Sequence, residues 1–484
     1  MVQMLRPWKT ILSLDFNNEL SVYRQIAEGI ITEIKKGRLK PGAPLPGTRV
    51  LAADIGVNRK TVVLAYEDLI AEGWLATTDK SGTFVSHELP GMKGKTQQKH
   101  HDFVFNDHEE LQPIAHAVAS NLIVFNDGWP DVRLAPMEEL AKAYRRIFQQ
   151  KARWCMLGYG HEQGIERLRI AVSNMLSFKR GMNTDPQNIC ITRGSQMALY
   201  LTAQTLLQPG DAVAIECPGY LPAWQTFVRA GARMVHIPVD EKGLVVEALE
   251  EVCKTTPLKA VYVTPHHQFP TAVSMKMERR LKLLALSNRY GFAIIEDDYD
   301  HEFHFSAKSL LPLASNENAG NVIYISSLSK LVAPAVRIGY VTGPPAFIHA
   351  LAQLRRLVDR QGDPIMEQAV AELMEEGAIN RHAKRAINIY RERRERMDQL
   401  LHTYLGKRVS FRKPEGGLAY WVKFVHKVNT EQLAERLLKK GVSVMPTERY
   451  AFDDTPLHAL RLGYASLAPE ELEEGIKALA ALVK

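Results

Sequence analysis

The sequence predicts an α/β protein in which a small helix-rich unit precedes a larger domain with a mostly parallel sheet. Apolar residues recur at helical spacing in the first part of the chain, whereas short β-branched runs alternate with helical patterns in the rest. A polar and basic stretch separates the two patterns. We therefore place a helical unit at residues 13–87, a linker at 88–116 and the larger domain at 117–484.

Size and composition are those of a globular protein with well-buried cores. The chain has 484 residues, of which 46% are hydrophobic and 24% charged, and its net charge of +7 is compatible with nucleic-acid binding without requiring it. The four cysteines lack metal-ligand spacing, so we expect no metal site and reduced thiols in the cytoplasm. No signal peptide and no apolar run approaching about 20 residues is visible, so we expect no membrane span.

Three helices are predicted in the N-terminal unit. The first ends at Gly37 and is indicated by apolar residues at helical spacing, which are Tyr23, Ile26, Ile30 and Ile34. A Pro- and Gly-rich connector at 41–47 leads into a short helix that begins at Thr48. The third helix is predicted from Arg59 to about Glu72. We expect it to bury Val62, Leu64, Ala65 and Leu69.

The second and third helices indicate a DNA-binding module. Gly56 supplies the turn between them and Asn58 suits the cap of the third helix, whose first turn holds Arg59, Lys60 and Thr61. A hairpin at 74–85, turning around 79–82, follows as a wing. Two short helices around a glycine turn, with basic and hydroxyl residues at the start of the second, fit a winged helix-turn-helix. A helical protein-interaction module is the alternative.

In order along the chain, these segments resemble the winged helix of GntR-type bacterial regulators. The motifs are Pro44-Leu45-Pro46-Gly47-Thr48-Arg49, Gly56-Val57-Asn58-Arg59-Lys60-Thr61-Val62, Glu72-Gly73 and Gly82-Thr83-Phe84-Val85. The resemblance implies that the third helix and its approach bind DNA through Arg49, Asn58, Arg59, Lys60 and Thr61, and the wing through Lys80, Ser81 and Gly82. Basic side chains neutralise phosphates, and polar side chains in a groove read base edges.

The larger domain contains β-branched runs of strand length separated by helical patterns. These runs lie at 213–216, 260–263, 293–296 and 322–325. Fully apolar strands separated by helices predict a parallel sheet covered by helices on both faces. Functional groups are then expected at the carboxyl ends of the strands.

Lys330 lies just after one of these runs, in Ser326-Ser327-Leu328-Ser329-Lys330, and Arg337 comes seven residues later. A lysine at a strand end, surrounded by hydroxyls and followed by an arginine, suits an amine that forms a Schiff base beside a phosphate. This arrangement points to pyridoxal phosphate. We expect Ser327, Ser329 and Arg337 to lie at the cofactor, with Arg337 at its phosphate.

Two further segments suit the same cofactor. Gly194, Ser195 and Gln196 follow the strand at 189–191 and open a helix, whose first N–H groups suit an anion, although simple helix capping is the alternative. The run Glu296-Asp297-Asp298-Tyr299-Asp300 also follows a strand. We expect Asp297 to hold the pyridine nitrogen and Tyr299 to reach the ring hydroxyl, with a solvated turn as the alternative.

Isolated loop residues complete the predicted site. Tyr220 could stack on the ring, and His267 or Gln268 could contact its hydroxyl, although each could equally be structural. Arg461 lies in a short apolar segment near the end of the chain, and a bidentate guanidinium suits the carboxylate of a ligand.

From about Ile123 to Lys484, these segments resemble fold-type-I pyridoxal-phosphate enzymes of the aspartate aminotransferase group. The resemblance implies a mostly parallel central sheet and a smaller C-terminal α+β subdomain. It also implies that Lys330 is the Schiff-base lysine, that Asp297 pairs with the pyridine nitrogen and that Tyr299 contacts the ring hydroxyl. By the same resemblance, Tyr220 stacks on the ring and Arg461 binds the carboxylate of the ligand. Phe269 departs from the pattern, because aminotransferases usually have asparagine there.

A GntR-type winged helix joined to an aminotransferase-like domain is similar to the MocR/GabR group of transcriptional regulators. The resemblance implies a homodimer, possibly domain-swapped, that binds double-stranded DNA. An amine or amino-acid effector, or pyridoxal phosphate itself, would react at Lys330 and change DNA binding. The alternatives are a working aminotransferase with an attached DNA-binding domain, and a regulator without a cofactor. The effector, the target genes and the direction of regulation stay open.

Overall fold

The computed structural model describes residues 8–78, 82–90, 122–149, 157–305, 310–451 and 456–483. The chain divides into two compact units, Met1–His108 and Glu109–Lys484, and the division falls inside the predicted linker. Lys80 and Ser81 of the predicted wing, and nearly all of the predicted linker at 88–116, lie outside the described residues.

The N-terminal unit is a winged helix-turn-helix, as predicted. Its elements are α1 (Trp8–Ile11), α2 (Val22–Lys35), α3 (Thr48–Ile55), α4 (Arg59–Ala71) and the antiparallel hairpin β1 (Leu75–Thr78) and β2 (Gly82–Val85). Ile26 and Ile30 of α2 are buried in one core with Val62 and Leu69 of α4. The apolar spacing of α2 therefore marks the face that packs against the other helices.

Local signals explain the turn between α3 and α4. Gly56 ends α3 with a φ of 72°, in the left-handed region that glycine adopts readily. The Asn58 side chain caps α4 by accepting a hydrogen bond of 2.9 Å from the Lys60 N–H. The prediction that Leu64 is buried was wrong, because it is 50% exposed. Val62, Tyr66 and Leu69 share one helical face, and Leu64 lies off that face.

The larger unit is built on an eight-stranded sheet in the order β4-β11-β10-β9-β8-β5-β6-β7. Neighbours from β10 through β6 run parallel, and β11 and β7 pair antiparallel with their neighbours. These strands are β4 (Ile189–Thr192), β5 (Ala212–Cys217), β6 (Arg233–Asp240), β7 (Gly243–Leu244), β8 (Leu258–Val263), β9 (Ala293–Asp298), β10 (Val322–Ser327) and β11 (Gly339–Thr342). The predicted mostly parallel sheet is confirmed.

Helices surround this sheet. They are α5 (Met137–Gln149), α6 (Glu166–Arg180), α7 (Ser195–Leu206), α8 (Leu221–Arg229), α9 (Val246–Thr255), α10 (Met277–Tyr290), α11 (Pro345–Val358) and α12 (Pro364–Glu375). Separate apolar clusters pack the helices against the strands, which agrees with strands buried on both faces.

A smaller C-terminal subdomain follows the long helix α13 (Ala378–Tyr404). It contains the antiparallel sheet of β12 (Val409–Phe411), β13 (Ala419–Phe424) and β15 (Ala459–Gly463), with α14 (Thr430–Leu438) and α15 (Pro469–Ala480). A parallel pair joins β14 (Val442–Val444) to β3 (Ile123–Phe125), which lies at the start of this unit in sequence. Phe125 is buried in the core of the C-terminal subdomain.

None of the helices in the described ranges is both long enough and apolar enough to cross a membrane. Among the same residues, no group of three or more histidine, cysteine, aspartate or glutamate side chains is arranged to hold a metal ion.

Candidate functional site

A cavity of about 420 Å³ lies at the carboxyl ends of the parallel strands of the large sheet. The structure brings several of the predicted site residues together on its wall, and these are Ser195, Tyr220, Asp297, Tyr299, Lys330 and Arg337. They come from segments that follow β4, β5 and β10 and from the end of β9. Parallel strands that end at one edge explain why segments distant in sequence meet there.

The Lys330 side chain lies on the wall of this cavity and is half-buried. Its Nζ lies 4.4 Å from the centre of the Tyr299 ring. Burial lowers the pKa of Lys330 to about 8, although the charge of Asp300 acts in the opposite direction. A larger fraction of this amine is therefore neutral, and hence nucleophilic, than for a lysine in water.

Asp297 presents a carboxylate at the end of β9. Its Oδ2 accepts a hydrogen bond of 2.9 Å from the Tyr262 hydroxyl, whereas its buried Oδ1 has no partner among the described residues. Burial is the main cause that raises the pKa of Asp297, to about 7. An oxygen held in place but unpaired suits a donor brought by a ligand.

The carboxylates on either side of Asp297 serve the fold. Glu296 accepts hydrogen bonds of 2.8 and 2.9 Å from the Leu313 and Ala314 N–H groups. Asp298 pairs with Arg180 at 2.5 Å and accepts a hydrogen bond of 2.7 Å from the Tyr324 hydroxyl. Because successive residues of a strand point to opposite faces, Asp297 is the one that reaches the cavity.

Arg337 and Gly194 make a close-packed basic corner. Arg337 has a φ of 51°, and its guanidinium donates a hydrogen bond of 2.7 Å to the Arg193 carbonyl. Gly194 has a φ of 79°, and a Cβ there would lie 2.6 Å from the guanidinium. Ser195 begins α7 beside it. A guanidinium against the first N–H groups of a helix suits an anion such as a phosphate.

Three other residues predicted at the cofactor, Ser327, Ser329 and Gln196, do not line this cavity. The Ser327 hydroxyl donates a hydrogen bond of 3.1 Å to the Ile338 carbonyl and accepts one of 3.0 Å from the Ser329 N–H. The Ser329 hydroxyl is buried with no partner in the described ranges. Gln196 donates through Nε2 to the Thr226 hydroxyl at 3.0 Å, so its side chain is already used in the fold.

The geometry does not support a ring-hydroxyl contact by His267 or Gln268. Both side chains are buried and neither lines the cavity. His267 Nδ1 lies 2.7 Å from Oδ1 of Asp300, and Gln268 donates through Nε2 to the Pro218 carbonyl at 2.8 Å. Tyr299 lines the cavity, but its hydroxyl donates a hydrogen bond of 2.9 Å to the His267 carbonyl. These groups hold the loops around the cavity.

Arg461, which is predicted to bind the carboxylate of a ligand, lies outside the wall of this cavity. The side chain is 1% exposed, does not line the cavity and lies with its guanidinium carbon 4.6 Å from the centre of the Phe269 ring. It donates hydrogen bonds of 2.6 Å to the Pro270 carbonyl and 3.2 Å to the Asp127 carbonyl. The guanidinium therefore joins the C-terminal subdomain to a loop of the large sheet.

Several cavity residues were missed at the level of sequence. Asp127, Tyr262 and Tyr450 line the wall together with the predicted residues. Tyr262 lies in a β-branched run, one residue before the end of β8. This position at the carboxyl end of a predicted strand could have marked it as a site residue. Asp127 and Tyr450 meet through a hydrogen bond from the tyrosine hydroxyl to the carboxylate, which no local pattern indicates.

The predicted DNA-contacting residues of the described N-terminal unit lie at its surface. Arg49, Asn58, Arg59 and Lys60 are exposed, and Thr61 is half-buried. Gly82 is exposed at the start of β2, with a φ of 98°. A basic face at the start of α4 is the geometry by which a helix-turn-helix approaches a major groove.

Two family descriptions match the chain. Residues 22–85 match the bacterial regulatory proteins of the gntR family. Residues 120–479 match aminotransferase class I and II, which is the greater part of the chain.

Relatives of both kinds are found. The chain is 29% identical to the probable rhizopine catabolism regulatory protein MocR of Rhizobium meliloti, over 97% of this chain and 95% of that protein. It is 31% identical to the HTH-type transcriptional regulator TauR of Rhodobacter capsulatus, over 94% of each. A kynurenine aminotransferase of Pyrococcus horikoshii, solved in complex with PMP, is similar in structure, with a TM-score of 0.73 and 30% identity over 78% of this chain and 96% of that one.

The aminotransferase class I and II fold and its solved relatives imply pyridoxal phosphate as the cofactor. The residues present fit it. The unpaired Oδ1 of Asp297 suits a protonated pyridine nitrogen, and the corner of Gly194 and Arg337, which a Cβ at 194 would fill, suits a phosphate. Lys330 supplies a primary amine on the wall of the same cavity.

Proposed function

The chain belongs to the MocR-type regulators, in which a GntR helix-turn-helix domain precedes an aminotransferase class I and II domain, and we propose that it is a pyridoxal-phosphate-dependent sensor of amines. An amine or amino-acid effector, or pyridoxal phosphate itself, reacts at Lys330 and changes the binding of double-stranded DNA. The observation that carries the proposal is the amine of Lys330 in one cavity with Asp297 and Arg337, in a chain that also holds a DNA-binding unit.

In this proposal the side chains divide the cofactor between them. Asp297 holds the pyridine nitrogen through its unpaired Oδ1, and Tyr262 keeps that carboxylate in place. Arg337, Gly194 and Ser195 hold the phosphate, and Tyr220 lies against the ring. When bound, pyridoxal phosphate supplies an aldehyde carbon that condenses reversibly with primary amines.

Lys330 then acts as a displaceable amine. Its pKa of about 8 leaves an appreciable fraction of the amine neutral near pH 7. The neutral Nζ can attack an aldehyde carbon without a strong base to remove its proton. An effector amine competes with Nζ, and Lys330 takes up a proton when it is displaced. The effector thereby changes the charge next to Tyr299 and Asp300.

Arg461 offers a route from this event to the C-terminal subdomain. Its hydrogen bond of 2.6 Å to the Pro270 carbonyl ties the two parts of the larger unit together. An effector carboxylate that draws the guanidinium away from Pro270 shifts the subdomain between two positions. We propose that the linker at 88–116 passes this shift to the DNA-binding unit. Arg49, Asn58, Arg59, Lys60 and Thr61, with Lys80, Ser81 and Gly82 of the wing, bind the DNA.

We further propose that the protein acts in the cytoplasm as a homodimer. Two winged helices in one assembly bind two half-sites, whose spacing follows from the distance between the subunits. A domain-swapped arrangement, with each DNA-binding unit against the partner's larger domain, agrees with the long connecting segment.

A working aminotransferase with an attached DNA-binding domain is the second candidate, favoured by the similarity to solved aminotransferases. One experiment separates the two. The cofactor absorbance and the affinity for operator DNA are measured during titration with a panel of amines, and turnover is measured with amino donors and 2-oxo acids. A sensor changes its absorbance and DNA affinity with little turnover. Steady turnover at about 1 per second or faster, without a change in DNA binding, identifies an enzyme.

A further inference from the structure

Asp127 places a negative charge on the cavity wall. This charge is not one of the groups proposed to hold the cofactor. Asp127 lines the same wall as Lys330 and Tyr450, and one carboxylate oxygen accepts a hydrogen bond from the Tyr450 hydroxyl. Among the described residues, the Asp127 charge acts on Lys330 and Arg461 and favours the protonated form of each. Arg461 contacts the backbone carbonyl of Asp127 and not its side chain. The carboxylate is therefore held by the Tyr450 hydroxyl, on a cavity wall that it shares with Lys330 and Arg449.

The turn that carries Asp127 is built to hold it in place. Oδ1 of the buried Asn126 accepts hydrogen bonds of 3.0 Å from the Gly128 N–H and 2.7 Å from the Trp129 N–H. Asn126 is itself fixed to the C-terminal subdomain, because its carbonyl accepts a hydrogen bond of 2.9 Å from the Gly463 N–H. Gly128 has a φ of 86°, and a Cβ there would lie 3.3 Å from the Arg461 guanidinium. The chain thus fixes the position of one charge at the cavity.

The surroundings of Asp127 suit a cation. The rings of Trp129, Tyr220 and Tyr450 line the cavity with it. Aromatic faces and a carboxylate together attract alkylammonium groups, because each supplies negative potential. A ligand with a second carboxylate would instead place two negative charges close together.

We propose that Asp127 selects an effector with two amino groups, such as a diamine or a diamino acid. One amine reacts at Lys330 and the second, protonated, pairs with Asp127. This inference rests on the proposed function, since it names the class of molecule that the sensor detects. The Tyr450 hydroxyl then donates a hydrogen bond to the selecting carboxylate without supplying the charge, and Arg461 remains able to take the carboxylate of a diamino acid.

Chain-matched ligands test the proposal on the full-length, cofactor-loaded protein. L-Lysine is compared with L-norleucine, and 1,4-diaminobutane with 1-aminobutane, so that each pair differs by the terminal amine. The apparent affinity is read from the change in cofactor absorbance and, separately, from the change in affinity for operator DNA. We expect the wild type to favour the diamino member of each pair by about tenfold or more. Equal affinities within both pairs in the wild type overturn the inference without any variant.

Two variants separate recognition from structure. Asp127→Asn keeps the backbone carbonyl that Arg461 contacts and removes the charge, so the preference falls to about threefold or less. Tyr450→Phe keeps the charge and removes the hydroxyl, so a preference of about tenfold persists. A preference that survives Asp127→Asn, or that both variants abolish equally, overturns the inference. If no amine changes the absorbance at all, the proposed function itself fails, whereas equal responses to matched ligands leave it standing.

Discussion

The Tyr262 hydroxyl donates a hydrogen bond of 2.9 Å to Oδ2 of Asp297, and Oδ1 of the same carboxylate is buried without a partner in the described part of the chain. One oxygen is thus held by the protein, while the other stays available to a ligand. Burial would favour a neutral carboxyl, and it raises the pKa of Asp297 to about 7. A protonated pyridine nitrogen that pairs with Oδ1 would favour the ionised form of the Asp297 carboxyl.

Asp297→Asn should weaken cofactor binding by about tenfold or more, because a charge-assisted hydrogen bond becomes a neutral one of the same shape. The dissociation constant is measured by absorbance during titration of the cofactor-free protein. Asp185→Asn is the matched control, since Asp185 is exposed and an asparagine can also cap the short helix that follows it. Equal affinities for the two variants would contradict the proposed role.

Lys330→Ala should abolish the absorbance band of the covalently held cofactor while leaving the fold intact, because the side chain that is removed lies on the wall of a cavity. The absorbance spectrum and the far-UV circular dichroism are recorded after dialysis that removes the free cofactor. Lys439→Ala, at an exposed lysine after α14, should keep the full band. A normal band in Lys330→Ala would show that another amine holds the cofactor.

The rate of cofactor attachment should depend on the protonation of Lys330. Its pKa is lowered from 10.5 to about 8 by burial, and only the neutral amine attacks a carbonyl. The rate with cofactor-free protein should therefore rise about tenfold per pH unit below the pKa and level off above about pH 8. Stopped-flow absorbance from about pH 6 to about pH 10.5 checks this. A rate that still rises steeply above about pH 9.5 would indicate an unshifted lysine.

Gly194→Ala should weaken binding of the cofactor and of inorganic phosphate by about tenfold or more. The new Cβ would lie 2.6 Å from the Arg337 guanidinium, and φ of 79° is strained for alanine. Gly320→Ala is the control, because a Cβ there meets nothing within 4 Å and φ is not in the left-handed region. Phosphate affinity is measured by calorimetry. Tight phosphate binding by Gly194→Ala would show that the phosphate binds at another place in the protein.

Lys60→Ala should weaken DNA binding roughly equally across sequences if this residue contacts a phosphate, and should reduce the slope of log affinity against log salt by about 1. Fluorescence anisotropy with operator and unrelated duplexes at several salt concentrations gives both quantities. Lys40→Ala, an exposed lysine of the same unit outside α3 and α4, is the control. If both variants lose the same affinity, the loss reflects the net charge of the unit and not a phosphate contact by Lys60.

Much of the fold could be predicted because its signals are local. Helical spacing marked the buried face of α2, Gly56 and Asn58 marked the turn, and β-branched runs marked the parallel strands. Leu64 was misplaced because apolarity was counted without regard to helical face. The pairing of β3 with β14 could not be predicted, since it joins segments from opposite ends of the larger unit.

For the site, the sequence by itself determined which residue types follow the strands, because the positions of the strands along the chain and the chemistry of Lys330, Asp297 and Arg337 are visible in local patterns. Only the tertiary structure decided which groups face the cavity. A strand alternates its side chains, so Glu296 and Asp298 had to share a face, but packing against Arg180 and the Leu313 loop decided that this face is the structural one.

The same reason explains why the surroundings of other predicted residues could not be read from the sequence. Arg461 and His267 carry suitable chemistry in sequence, yet their hydrogen-bond partners, the Pro270 carbonyl and Asp300, come from other segments. Asp127 had no local signal, and it became a candidate only when folding brought it to the wall that holds Lys330. Hydrogen bonding and burial depend on distances between remote segments, and those distances are set by the packing of the whole domain.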